Sequence, residues 1–148
     1  MINPVVDKRA IVDPLVVANQ LRPVLLRLSR ELRKETEQLG VTSRQVTLLW
    51  LIRTNPGMSL RQLAAEEGIS APALSGHVDR LEKVGLIERV RDAEDRRRVG
   101  LTLTEEGDRL LRRVRARRTT WLAEHLRGLA DDELAAIEAA IAPLGRLL

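Results

Sequence analysis

Over residues 86–103 the hydrophobic period of this chain drops to two. The runs LIERVR (86–91) and RVGLTL (98–103) alternate apolar with polar residues, the pattern of half-buried strands. The linking DAEDRR (92–97) is too short for a crossover, so the two runs form an antiparallel hairpin. Its tip, RDAEDRRRVG (91–100), sets Arg91, Arg96, Arg97 and Arg98 around Asp92, Glu94 and Asp95. A charge run of this kind is ordinarily a solvated loop. What flanks it decides whether it does more.

Three short helices come before it. Thr42 and Gln45 form a capping-box pattern, followed by Val46, Leu49, Trp50 and Arg53 on successive turns, and Asn55-Pro56-Gly57 ends that helix. Ser59 and Gln62 repeat the pattern, with Leu60, Leu63 and Ala64 facing inward and Gly68 closing the turn. Ser70 is the next N-cap, and Pro72 sits in the first turn, where proline is tolerated. Leu74, Val78 and Leu81 share one face, and Gly85 stops the helix. Ala64, Gly68 and Leu74 have helix-turn-helix spacing: a small residue at a close crossing, a glycine in the turn, a leucine anchoring the second helix. Helix, helix, helix, hairpin is the order of a winged helix.

Long helices flank this unit. Residues 13–39 carry Leu15, Ala18, Leu21, Leu25, Leu28, Leu32 and Leu39 at helical spacing, with a kink or broken turn expected at Pro23 and a stop at Gly40. Thr104 caps a helix over 104–127 with Leu110, Leu111, Val114, Trp121 and Leu122 as its apolar points. Asp131 is expected to cap a last helix over 131–147. The fold class is therefore mainly α with a small β-hairpin wing. Residues 42–103 are a winged helix-turn-helix, and 13–39 with 104–147 are a helical dimerisation region. A winged helix of about 60 residues has a small core by itself. The flanking stripes need covering, and a two-fold copy would supply that, so a homodimer is expected rather than a monomeric bundle.

Composition bounds the chemistry. The 148 residues suit one domain, and the aromatic side chains are Trp50 and Trp121, so the core is Leu, Ile, Val and Ala. The absence of Cys excludes disulfides, thiolate catalysis and thiol redox sensing. His77 and His125 sit on different elements without metal-ligand spacing, and no phosphate-binding glycine loop or catalytic motif is present. The expectation is no enzyme, no cofactor and no metal. The start MINPVVDKRAIVDP does not read as a signal peptide, and no run of 18 apolar residues exists, so the expected place is the cytoplasm, with no membrane partner. The net charge is +4, and only Lys8, Lys34 and Lys83 among 25 basic residues are lysines. Arginine suits phosphate and guanine recognition.

On the helix after Gly68 a 100° step puts Pro72, Ala73, Gly76, Arg80 and Lys83 opposite the inward leucines, with Ser75 and His77 on the flanks. The outer face is small first and basic later. Small residues let a backbone approach a groove closely. Ser75 and His77 can donate to base edges or phosphates, and Arg80 can reach either. With Ser70, Pro72, Ala73 and Gly76 they make a candidate recognition helix for double-stranded DNA. Beside it the hairpin tip would reach the minor groove, where arginine is favoured. Asp95 is expected to pair with Arg97 and stiffen the tip, leaving Arg96 to point outward. The basic run from Arg109 to Arg118 reads mostly as a solvated face with acidic partners.

Leu63-Ala64, Gly68, Ser70, VDRLEKVGLIERV (78–90) and DRRRVGLTLTEEG (95–107) together resemble the MarR family of bacterial transcription regulators. Asp95-x-Arg97 followed by Leu103-Thr104 and Gly107 is the most recognisable part, and the resemblance runs over residues 13–147. It implies a homodimer with intertwined terminal regions, and a palindromic operator often released by a small anionic or aromatic ligand. It also implies a pocket between the dimerisation helices and the winged helix, which Trp50, Arg53, Trp121 and residues of 21–32 would line. Each of these is equally well explained as core or surface. Lack of Cys excludes the thiol-oxidation branch of the family. The alternatives are a ligand-independent architectural DNA-binding protein, an activator, and a winged helix that binds protein.

Overall fold

A computed structural model of the protein describes residues 12–148, so the reading of the first residues as no export signal falls mostly outside the described residues. The elements are α1 (Pro14–Glu37), α2 (Ser43–Thr54), α3 (Leu60–Glu67), α4 (Ala71–Lys83), β1 (Ile87–Arg91), β2 (Val99–Leu103), α5 (Glu105–Leu126) and α6 (Asp131–Gly145). None of these helices is long and apolar enough to cross a membrane.

Local chemistry starts each short helix. Thr42 Oγ1 accepts from the Gln45 N–H at 3.2 Å while Gln45 Oε1 accepts from the Thr42 N–H at 2.9 Å. Ser59 and Gln62 do the same for α3, and Ser70 Oγ accepts from the Ala73 N–H to start α4. These bonds satisfy N–H groups that a helix start leaves free. Gly68, at φ +62°, makes the left-handed turn between α3 and α4 at no steric cost. The helix-turn-helix is thus specified by residues adjacent in sequence.

Packing then sets it on one core. Leu48, Leu49, Ile52, Leu63, Leu74, Val78 and Leu81 are fully buried, Ile87 and Leu101 from the hairpin nearly so, and Leu110, Leu111 and Val114 of α5 close the same cluster. Full burial of each such side chain contributes about 1.5–3 kcal/mol. The strands pair antiparallel, from Ile87 opposite Leu103 to Arg91 opposite Val99. The outer edge of β2 is also covered: the Gly57 N–H donates to Leu101 O at 3.0 Å and the Leu101 N–H to Met58 O at 2.9 Å.

Helix α5 is fastened to the start of the hairpin. Thr104 Oγ1 donates to Gly85 O at 2.6 Å and accepts from the Gly107 N–H at 3.1 Å. A Cβ on Gly107 would stand 2.2 Å from Leu86 O, so the close approach requires glycine. Further along, buried Thr36 of α1 accepts from Arg118 Nε at 3.0 Å, and Arg117 pairs with Glu35 at 3.1 Å. Helix α6 buries no residue against this chain.

The expected cap at Asp131 is corrected, and so is the broken-turn alternative at Pro23. Helix α1 runs through Pro23 without a broken turn. The carbonyl that proline leaves without a partner, on Asn19, belongs to an exposed residue that water can reach. On α2 the buried face is Val46, Leu48, Leu49 and Ile52, while Trp50 is 56% exposed. This helix is packed by α1, α3, α5 and β2, so a single stripe does not describe it. Asp131 is the first helical residue of α6 rather than its cap, and Glu133 Oε2 accepts the N–H of Ala130 at the cap position, at 2.9 Å.

Candidate nucleic-acid interface

Helix α4 presents the face that its sequence implies. Leu74, Val78 and Leu81 are buried, Pro72, Ala73, Gly76, Arg80 and Lys83 are exposed, and Ser75 and His77 are half-buried at the flanks. Pro72, Ala73 and Gly76 give the first two turns a low profile. Arg80 Nη2 lies 3.3 Å from His77 Nδ1, which lays the guanidinium along the helix toward its N-terminal half. Two acids also sit on α4. Asp79 and Glu82 both face Arg89 of β1, whose Nη2 lies 2.7 Å from Asp79 Oδ1 and whose Nη1 pairs with Glu82 Oε2. The hydrogen bond to Asp79 raises the Arg89 pKa above its ordinary value. Sequence reasoning missed this contact, because the partners are seven and ten residues apart and meet only when the strand lies on the helix.

Every residue of the wing tip from Arg91 to Val99 is exposed. Its pairing differs from expectation. Asp95 Oδ1 accepts the backbone N–H of Arg97 at 3.1 Å, and Oδ2 faces Arg98 Nε at 3.9 Å. The expected Asp95–Arg97 ion pair is replaced because two residues of tight turn bring the carboxylate over the Arg97 amide. Asp95 therefore stiffens the tip through the backbone, and Arg96 has no ion pair among the described residues. A second acid, not singled out from the sequence, does more of the shaping. Asp92 Oδ1 accepts the N–H groups of Glu94 at 2.8 Å and Asp95 at 3.2 Å. These two backbone bonds, with Arg98 nearby, lower the Asp92 pKa below its ordinary 3.8. An Asp followed by a polar turn is the signal that could have revealed it.

The three candidate pocket residues are not brought together. Trp50 and Arg53 line a cavity of about 470 Å³ between α2 and α5, with Arg112, Arg115, Arg118 and Leu122. Trp121 lines other clefts, between α1 and α5, with its ring stacked on His125 at 3.8 Å between centroids. Asp108 answers two of the arginines, Arg53 at 3.2 Å and Arg112. Burial, with the charge of Arg33, lowers the Arg118 pKa, and among the described residues its Nε bonds only the neutral Thr36 hydroxyl. The cavity therefore combines an indole with cationic groups that lack full compensation. Elsewhere on α5, Arg109 pairs with Glu105 and Glu106, as a solvated face would. Among the described residues no His, Asp or Glu cluster could hold a metal ion.

A family model described as the MarR family matches residues 41–99. The HTH-type transcriptional repressor MdtR of Bacillus subtilis (strain 168) is 29% identical over 114 residues, 77% of this chain and 74% of that one. A crystal structure of a Pseudomonas aeruginosa PA01 protein described as a transcriptional regulator is 32% identical, covers 90% of this chain and 94% of that one, and superposes with a TM-score of 0.77. A Staphylococcus aureus MepR variant, in a structure with a bound oligodeoxyribonucleotide, shares the fold at 22% identity, a TM-score of 0.71, and coverage of 88% and 97%. These relatives, the helix-turn-helix closed by Gly68 and the hairpin joined to α5 agree: the chain belongs to the MarR family of winged-helix transcription regulators, a family of DNA-binding proteins rather than enzymes.

Proposed function

We propose that this protein is a homodimeric repressor that binds a near-palindromic double-stranded DNA operator and is released by a small anionic or aromatic ligand. The carrying observation is the outer face of α4, low at Pro72, Ala73 and Gly76 and basic at Arg80 and Lys83, beside the exposed Arg96 of the wing. Helix α4 enters the major groove, and Ser75, His77 and Arg80 reach base edges or phosphates. Arg96 enters the flanking minor groove, with Asp95 and Arg97 shaping the turn behind it. Repression is supported by the name of the MdtR relative, and DNA as partner by the oligonucleotide in the MepR structure.

Residues 42–103 serve as the DNA-binding unit, and 13–39 with 104–147 as the dimerisation region. The dimer is supported by apolar side chains that the single chain leaves uncovered on α1 and α6. The ligand is assigned to the cavity beside Trp50 and Arg53, where Arg115 and Arg118 would meet a carboxylate and the indole an aromatic ring. As a DNA regulator the protein acts in the cytoplasm.

Selection of bound duplexes from random DNA tests the first half of this reading. A near-palindrome with half-sites about one helical turn apart is expected. Enrichment of no sequence, with uniform binding to all duplexes, would point to an architectural protein instead. For the second half, aromatic carboxylates are titrated into the complex while Trp fluorescence and DNA release are followed. Release by an acid, abolished in Arg118→Gln, is expected. A reporter gene that falls rather than rises when the protein is deleted would make it an activator.

A further inference from the structure

We infer that Arg89 is a positioning residue for DNA reading: it locks the recognition helix to the wing, so that the two dock as one rigid unit. The inference rests on the DNA-binding reading of α4 and the wing. Side chains alternate along a strand, so Arg89 stands on the same face of β1 as buried Ile87, the face that packs on α4. From there its guanidinium spans two carboxylates one turn apart on α4, Asp79 at 2.7 Å and Glu82. A planar fork suits two acceptors; a lysine ammonium would hold only one point. Arg89 is an exposed residue whose guanidinium is turned to the two carboxylates, with 35% of its side chain left accessible.

The clamp acts on charge and on geometry. Asp79 lies three and four residues from Gly76 and Lys83, toward the outward side of α4, and its side chain is 59% exposed. A bare carboxylate there would repel phosphates, and Arg89 neutralises it. The clamp also fixes the pitch of α4 against the strand that carries the wing. Ile87 also shares the apolar core with Val78 and Leu81, and the Leu86–Leu81 and Thr104–Gly85 hydrogen bonds lie at the C-terminal end of α4, but Arg89 is the charged link from β1 to the exposed side of the helix. Without Arg89 the apolar core still joins helix and wing, but apolar contacts are non-directional, so the pitch of α4 against the wing, and with it the register that the correct operator satisfies, would be loosened.

The test measures affinity for the selected operator and for a scrambled duplex, at several salt concentrations. The variants are Arg89→Gln, Arg89→Lys, the double variant Asp79→Asn with Glu82→Gln, and a triple variant that adds Arg89→Gln to that double. Two exposed pairs act modestly, so Arg89→Gln should lose about fivefold on the operator and clearly less on the scrambled duplex. Arg89→Lys should fall between. The double variant removes two negative charges near DNA, yet should also lose operator preference, and the triple variant should lose nothing more. A fall of about one unit in salt slope, with equal loss on both duplexes, would instead make Arg89 a phosphate contact and overturn the clamp. So would tighter binding with undiminished preference in the isosteric double variant, which serves even where Arg89→Gln fails to fold. A parent that selects no sequence overturns the DNA-binding reading itself; a parent that selects, with unaltered variants, overturns the clamp alone.

Discussion

Asp92 shows how little a formal charge says about a residue beside DNA. Its carboxylate holds two backbone N–H groups of the wing tip, so the negative charge is engaged where phosphates would otherwise repel it. Asp92→Ala should therefore weaken operator binding, although simple electrostatics calls for the opposite. Asp92→Asn keeps an acceptor oxygen without the charge and should fall between Asp92→Ala and the parent. Affinity at two salt concentrations separates the cases, and tighter binding by Asp92→Ala would remove the turn from the account. The pH dependence follows the same bonds. The folded-state pKa is depressed, so the contribution is whole above the ordinary value of 3.8 and is lost as pH falls from there through the lowered value. The Glu94 and Asp95 amides should accordingly gain hydrogen exchange in Asp92→Ala at neutral pH, and in the parent only in acid.

At the scale of elements, hairpin and α5 approach closely at Gly107. Gly107 sits in the first turn of α5, where helix propensity alone makes Gly107→Ala stabilising by about 1 kcal/mol. The added Cβ would meet Leu86 O at 2.2 Å and the Leu103 side chain at 2.9 Å. A backbone oxygen cannot swing aside, so overpacking should win and the variant should lose about 1–3 kcal/mol in urea denaturation. A stabilised variant would show that α5 can lift from the wing without loss. This junction also shows what the sequence could and could not disclose. Thr42, Ser59, Ser70 and Thr104 were legible as caps because each bonds a residue three positions on. The alternation of 86–103 announced the hairpin for the same local reason. The Met58–Leu101 bridge, the Arg89 clamp and the Arg118–Thr36 bond join residues 7 to 82 positions apart. No period in the chain marks such meetings. The outward face of α4 was readable because the inward leucines fix its opposite; the partner of Asp95 was not, because turn geometry decides it.

At the scale of the whole molecule the open quantity is the apolar surface of one chain. Leu15, Val16 and Leu26 of α1 are 68%, 51% and 58% exposed, and Ile137 and Ile141 of α6 are 43% and 64% exposed. Helix α6 has no buried residue, only Ala140 and Leu144 half-buried, although its sequence is largely Ala, Leu and Ile. Apolar patches of this extent on soluble chains mark interaction surfaces. A two-fold copy that buries both helices would also set two α4 helices at a fixed separation, which a palindrome needs. Sedimentation at micromolar concentration should show a species of twice the 16.6 kDa chain mass. Ile141→Glu and Leu26→Glu should each shift it toward the single chain, because a dimer would have to bury an unpaired carboxylate. The consequence for DNA is steeper than the loss of one contact. Two linked half-sites bind with an effective concentration that a free subunit lacks, so splitting the dimer should weaken operator binding by about 10²-fold or more. Binding to a single half-site, where linkage contributes nothing, should change little. Charged variants that remain dimeric and keep full operator affinity would place the dimer interface elsewhere than on α1 and α6.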